Sequence, residues 1–326
     1  MNVIQDTQKV MGWRVAASLF LIATGMGSYL IGFAYRFTSL PMGGIPAVAV
    51  VIAAPLVLTG ALLLLYDMGQ KSEFYHTYAR SSSSWMSRGA IFLTAFFILN
   101  LVHIFIGIWP VNILQFTPAA YLIIGIIASI LAILSLIYTA FLLGVVKPIP
   151  FWSSRFLIWL FLFSGLSTGA MAIAVVYSIY KITAGSILLE SLITLAYFNF
   201  FVVIIEALVL TVYLSAINGK AQTSVKVLMK GKLARPFWAG VVVAGIIIPL
   251  IIEALKDFVI GGSFTLLVLT LFGGIIGLIG GFMLRYVIVY GGTRTKLNVN
   301  GTLVAPPPEN YIAKAIESSY QTFQKP

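Results

Sequence analysis

The sequence predicts an all-α integral membrane protein of eight transmembrane helices, and three observations carry that prediction. Of 326 residues, 60% are hydrophobic and only 9% charged, with mean hydropathy +1.04; a soluble domain is about half apolar and about a quarter charged. The apolar residues fall into eight long runs, and crossing a hydrocarbon core takes roughly 20 residues of helix. Lys and Arg divide unevenly between the two sides that those runs would create.

The runs are 13–35, 46–68, 88–109, 119–145, 155–180, 188–217, 237–259 and 263–290, which makes 1–290 a single membrane domain. Each is expected to be a helix, because lipid offers backbone N–H and C=O groups no partner. Punctuation agrees with the breaks. Pro41 and Pro46 bracket the first turn, Pro110 and Pro118 the third, Pro148 and Pro150 the fourth, and Pro236 closes the sixth. The first run starts at Trp13 without the pattern of a cleavable leader and is long enough to stay in the membrane. Gly165 and Gly169 in span 5, and Gly273, Gly277 and Gly281 in span 8, recur every four residues, a spacing that lets helices approach closely. Residues 291–326 form a polar tail in which Pro306, Pro307 and Pro308 precede a short amphipathic stretch near Tyr311–Phe323. That stretch either lies along the bundle or hangs loose.

Seventeen of the 20 basic residues fall on the side that holds the N-terminus. Only Arg36, Lys181 and Lys256 fall on the other. This split places both termini in the cytoplasm, with the protein in the cell membrane. It also accounts for the net charge of +11 as a topology signal and not as a nucleic-acid surface. With no cysteine, the protein holds no Cys-ligated iron–sulfur cluster and no disulfide. The two histidines, His76 in a connection and His103 near the opposite surface, cannot ligate one haem, and no set of side chains has metal-ligand spacing.

Polar residues inside spans are costly and mark function. Asn100 and His103 are three apart, on one face of span 3, near its extracytoplasmic end. Tyr29, Tyr35 and Arg36 of span 1, Asn112 and Gln115 of the next connection, and Tyr121 of span 4 are expected across from them. A quinone head group needs such a place: donors for two carbonyl oxygens, a group that passes protons, and an apolar slot. The plainer alternative is a histidine satisfied by a neighbouring backbone, with the aromatics forming the interfacial belt. Glu206, mid-span with Asn199 two turns away, reads equally as a proton relay or a buried structural hydrogen bond. Glu253 and Asp257, beside Lys256, read as an interfacial ion cluster, and Asp67 as a helix-end ion pair with Arg88 or Arg285.

Several motifs in order resemble one family. The junction of spans 2 and 3 reads Asp67-Met-Gly-Gln, then Ser81-Ser-Ser-Ser-Trp85-Met-Ser-Arg88-Gly89-Ala90. Span 1 has Trp13, then Leu19-Phe-Leu with Gly25 and Gly27; span 5 has Phe163-Ser-Gly-Leu-Ser-Thr-Gly169. Span 7 opens Phe237-Trp-Ala-Gly240 and reaches Pro249, and span 8 closes Gly281-Phe-Met-Leu-Arg285-Tyr-Val-Ile-Val-Tyr290-Gly. Together these resemble the membrane subunits of polysulfide reductases, the NrfD-like family, over nearly the whole sequence. The usual Arg-Pro after Gly69 is missing, and the outer connections are poor in charge.

The resemblance implies two four-helix bundles and a quinone-binding anchor of a respiratory oxidoreductase complex. Such a subunit carries no haem or cluster of its own. It binds menaquinone or ubiquinone and pairs with a ferredoxin-like iron–sulfur subunit on the extracytoplasmic face. A molybdopterin-type or other catalytic subunit does the terminal chemistry. Asn100, His103 and Tyr121 match the family's quinone region by position. Asp67 and Arg88 match its junction motif, Arg285 its last helix and Glu206 its mid-membrane carboxylate, which together imply a path for proton translocation. Two other classes stay open: a secondary transporter built on Glu206, with Pro55 and Pro249 breaking helices, and an anchor that binds no quinone.

Overall fold

The computed structural model describes residues 12–38, 44–67, 85–107, 118–144, 149–184, 190–219, 221–256, 262–293, 297–299 and 302–304. In sequence order the helices are α1 (Trp13–Ala34, continued by a 3-10 turn, Tyr35–Phe37), α2 (Ile45–Asp67), α3 (Trp85–Gly107), α4 (Pro118–Gly144), α5 (Phe156–Ala184), α6 (Glu190–Asn218), α7 (Gln222–Met229), α8 (Pro236–Leu255) and α9 (Gly262–Tyr290). All but α7 are long and apolar enough to cross a membrane, so the eight expected spans are present. The protein is a multi-pass membrane protein.

Two elements lie outside that expectation. Helix α7 turns Ser224, Val225 and Leu228 inward and Lys226, Met229 and Lys230 outward. Its Ser224 hydroxyl pairs with the Thr293 hydroxyl at 2.7 Å and accepts from the Thr293 N–H at 3.1 Å, tying it to the segment after α9. Beyond α9, Leu297–Val299 and Thr302–Val304 pair as an antiparallel hairpin, β1 and β2. The helix considered near Tyr311–Phe323 lies outside the described residues.

Helices α1 and α5 form the centre. The most apolar stretch of α1 is 83% buried and that of α5 67%, against 11–44% in the other six spans. They cross backbone on backbone. A Cβ at Gly27 would lie 1.9 Å from the Gly165 carbonyl oxygen, and one at Gly169 would lie 2.4 Å from the Ser28 nitrogen. Hydroxyls line the same crossing: Ser28 donates to the carbonyls of Thr24 (2.8 Å) and Gly169 (3.2 Å), and Thr24 donates to the Thr168 hydroxyl (3.1 Å). Around this pair, α3 packs on α2 and α4, and α4 packs on α1 and α5. On the other flank α6 packs on α5 and α8, and α8 packs on α9.

Helix α8 is wound as a π-helix over Pro236–Ile247 and as an α-helix over Ile248–Leu255. In a π-helix each N–H reaches five residues back, so residues five apart share a face. Gly240 and Gly245 have that spacing, and both meet α9, at Met283 and at the Gly280 backbone. The closest approach of α8 and α9 is therefore Gly245 on Gly280. The stripe expected from spacing is shared between two helices: Gly273 meets Ile252 of α8, Gly277 meets Met171 of α5 and Pro249 of α8, and Gly281 meets Thr168 of α5.

Candidate functional site

Near the ends of α1 and α3, and the start of α4, four of the expected residues converge. His103 and Tyr29 are both fully buried, and the Tyr29 hydroxyl lies 2.6 Å from His103 Nδ1. The Tyr121 ring sits 3.9 Å from the imidazole, centroid to centroid, and the Arg36 guanidinium lies 4.0 Å over that ring. Exposure falls along this stack, from exposed Arg36 to half-buried Tyr121 to buried His103 and Tyr29. The imidazole's second nitrogen, Nε2, is buried and has no partner.

The chemistry of that arrangement is a switchable donor. A neutral imidazole donates from one nitrogen and accepts at the other, and a phenol can do either. When Tyr29 donates to Nδ1, Nε2 carries a proton and offers it. When Nδ1 donates to Tyr29, Nε2 presents a lone pair. One buried hydrogen bond thus sets which role the open nitrogen plays.

Asn100 is buried on the same face of α3 but is already engaged. In the amide orientation that satisfies both of its groups, the nitrogen donates to the Val50 carbonyl and the oxygen accepts from the Ala54 N–H, each at 3.1 Å. Those two backbone groups lie just before Pro55, so Asn100 clamps α3 to α2. Tyr35 is buried with its hydroxyl unpartnered, in a separate cluster with Ile45, Tyr177 and Leu192. Asn112 and Gln115 lie outside the described residues.

The second polar centre is mid-membrane. Glu206 of α6 accepts from the Ser167 hydroxyl at 2.5 Å and also from Ser164. Arg285 of α9, fully buried, donates to the Ser164 hydroxyl at 2.5 Å and stacks over Phe161 at 5.3 Å. Carboxylate and guanidinium therefore meet through one serine, and Nε and Nη2 of Arg285 have no partner. A cavity of about 10 Å³ borders Glu206 and Ser167. The motif glycine Gly89 has a packing reason, since a Cβ there would lie 2.1 Å from the Tyr138 ring. Arg88 beside it is exposed at the start of α3, and of Asp67 only the backbone is described.

Glu253 has a partner beyond the ion cluster expected of it: Asn199 of α6 donates to its Oε1 at 2.6 Å. Asp257 lies outside the described residues. Among the described residues no three His, Cys, Asp or Glu side chains converge as metal ligands.

Sequence reasoning missed the residues that pack around His103 and its neighbours. Phe96 meets the Tyr29 ring edge-on at 5.1 Å. A Cβ at Gly107 would lie 2.0 Å from the Tyr121 ring, and one at Gly125 would lie 2.0 Å from Phe33. The signal was available in the spacing, because 96, 100, 103 and 107 recur on one helical face.

Known proteins resemble this one over nearly its whole length. The family description "Polysulphide reductase, NrfD" matches residues 2–296. The C subunit of polysulfide reductase from Wolinella succinogenes is 26% identical over 314 residues, covering 89% of this protein and 96% of the relative. Protein NrfD of Escherichia coli K12 is 26% identical over 313 residues, covering 88% and 96%. With eight spans, and a family match that runs from residue 2 through the last of them, this protein belongs to the NrfD polysulphide reductase family.

Proposed function

We propose that the protein is the quinone-reactive membrane anchor of a respiratory oxidoreductase, exchanging electrons with a ferredoxin-like iron–sulfur partner on the extracytoplasmic side. The supporting observation is the unspent nitrogen of His103, whose role as donor or acceptor is set by the hydrogen bond to Tyr29, beside the stack of Tyr121 and Arg36. A buried nitrogen without a partner is costly unless a ligand satisfies it. Nε2 as donor suits the carbonyl of a menaquinone or ubiquinone, and Nε2 as acceptor suits the hydroxyl of the reduced form. The same pair therefore serves electron flow in either direction. Tyr121 and Arg36, the outer members of the stack, must move for a head group to reach His103. Asn100 supports the site by fixing α3 on α2.

One relative is by its name a lettered subunit of a polysulfide reductase, which supports membership of this kind in a multi-subunit enzyme. A molybdopterin-type or other catalytic subunit would carry the terminal substrate chemistry, and this protein would present quinone to the assembly. The basic residues argue for cytoplasmic termini, which sets the His103 end of the bundle on the outer side. Protons released there leave outward. Glu206, Ser164 and Arg285, with Asp67 and Arg88 toward the inner face, are the residues through which protons would cross.

The test is gentle purification of the native complex. A stoichiometric iron–sulfur protein and co-extracted quinone are expected. Quinol oxidation should fall at least a hundredfold in His103→Ala with the complex intact, the range for loss of one acid–base group being about 10² to 10⁴. Recovery of this protein alone, with no quinone, refutes the proposal.

A further inference from the structure

Between α5, α6, α8 and α9, toward the face where α8 ends, lies a cavity of about 20 Å³. We infer that Asn199 and Glu253, which line it, form a proton-exchange site holding one proton and one water. Asn199 Nδ2 donates to Glu253 Oε1, while Asn199 Oδ1 and Glu253 Oε2, both buried, have no partner. Asn199 is only 3% exposed, so bulk water does not satisfy its oxygen. One water needs about 10–15 Å³ and two to four polar partners, and the cavity offers both.

An amide facing a carboxyl closes a ring of two hydrogen bonds only when the carboxyl is protonated. The acid O–H then donates to Oδ1, complementing the N–H bond already present. When the proton leaves to water, the carboxylate keeps the N–H bond, and one water donating to Oε2 and Oδ1 satisfies both orphaned oxygens. Each state leaves every buried group paired. That property separates an exchanging carboxyl from a structural one. The atoms balance: hydronium plus carboxylate gives carboxyl plus water, and the reverse.

Among the described residues Lys256, just past the end of α8, is the other charged side chain at the cavity. Its positive charge disfavours a bound metal cation. From α9 the cavity receives Thr270, whose hydroxyl is spent on the Leu266 carbonyl, and from α5 it receives apolar side chains. Among the described residues Lys181 near the end of α5 and Glu190 at the start of α6 are the remaining charges toward that face, and neither lines the cavity.

Inward, Asn199 and Glu206 are seven residues apart on α6, two turns or about 10 Å along one face. Met171 lines the cavity, and its sulfur packs over Gly277, which lines the smaller cavity beside Glu206. A flexible thioether is thus the divider between the two spaces. The exchange site stands on its own geometry. Only its continuation to Glu206 rests on the proton path proposed above.

Infrared spectra of the full-length protein in lipid nanodiscs, recorded across pH in H₂O and D₂O, test the inference. A protonated-carboxyl C=O stretch should vanish in Glu253→Gln and shift in Asn199→Ala, which keeps the carboxyl and removes its partner. If Glu253→Gln does not fold, the response to Asn199→Ala decides. The inference is overturned if no protonated-carboxyl signal depends on Glu253, or if the signal ignores Asn199. H/D exchange of the Glu206 carboxyl should slow at least tenfold in Glu253→Gln. Unchanged exchange there, with a Glu253 signal that responds to Asn199, upholds the exchange site and refutes the link to Glu206.

Discussion

Tyr29→Phe removes one oxygen and keeps the ring, so it isolates the hydrogen bond to His103. The ring contacts with Phe96 at 5.1 Å and Phe33 at 6.4 Å survive, because they do not involve the hydroxyl. The lost bond is 2.6 Å long between two side chains with no exposed surface. Stranding a buried imidazole nitrogen costs about 1–3 kcal/mol of stability. If that were the whole role of Tyr29, the variant would give less protein but each folded molecule would turn over normally. If Tyr29 sets which role the open nitrogen of His103 plays, turnover per folded molecule should fall about 10²-fold or more, roughly 3 kcal/mol of barrier. The assay is steady-state oxidation of a soluble quinol with a short tail by the purified complex, normalised to folded protein, for Tyr29→Phe, His103→Ala and the pair. Groups acting as a unit are not additive. The double variant should therefore be no worse than His103→Ala alone. Wild-type kcat in Tyr29→Phe, or additive losses in the pair, would refute the relay.

Gly107→Ala should raise KM for quinol with little change in kcat, since its Cβ would displace the Tyr121 ring; an unchanged KM counts against Tyr121 lining the entrance. Gly27→Val should abolish assembly, because overpacking costs about 1–3 kcal/mol even where neighbours yield, and here the neighbour is a backbone carbonyl. Gly12→Val, with open space around it, is the matched control, and thermal denaturation of purified protein separates the two. Glu206→Gln should leave quinol oxidation near wild type while lowering the protons moved per electron in proteoliposomes. An unchanged ratio removes Glu206 from the path.

The architecture was legible because lipid enforces it. Spans must be about 20 residues of helix, and the basic residues sort onto one side. Hydropathy held a further hint about the centre. α1 and α5 have the lowest values of the eight, 1.7 and 1.9 against 2.3–2.7, because a helix surrounded by protein can spend positions on glycine, serine and threonine. His103 with Tyr29, Tyr121 and Arg36 was readable from depth and helical spacing. The partner of Asn100 was not, since it is the backbone of another helix beside a proline, which no residue pattern announces. The Asn199 partner of Glu253 was hidden for a related reason, since it lies on another helix and the charged neighbours in sequence do not point to it. Helix α7 escaped because hydropathy over a window long enough to find a span averages away an eight-residue amphipathic turn.

The two polar centres touch a common seam, and its chemistry decides how they can be coupled. Tyr29 follows Ser28, and Thr168 follows Ser167, so the crossing of α1 and α5 joins the His103 site to Glu206. A proton wire would need hydroxyls handing protons to hydroxyls. Here one such step exists, Thr24 to Thr168 at 3.1 Å. Beyond it, Thr168 donates to the Ser164 carbonyl at 2.7 Å and Ser28 to those of Thr24 and Gly169, all dead ends because a carbonyl has no proton to pass on. The seam therefore transmits position, through glycine contacts that cannot yield, and not protons. Thr24→Val with Thr168→Val keeps the shape and removes the one hydroxyl-to-hydroxyl step. It should cost about 1 kcal/mol for the hydrogen bond and leave the proton-to-electron ratio unchanged. A collapsed ratio in a stable, quinol-oxidising double variant would show that protons do run through the seam, and that the outlet at His103 and the path at Glu206 are one route.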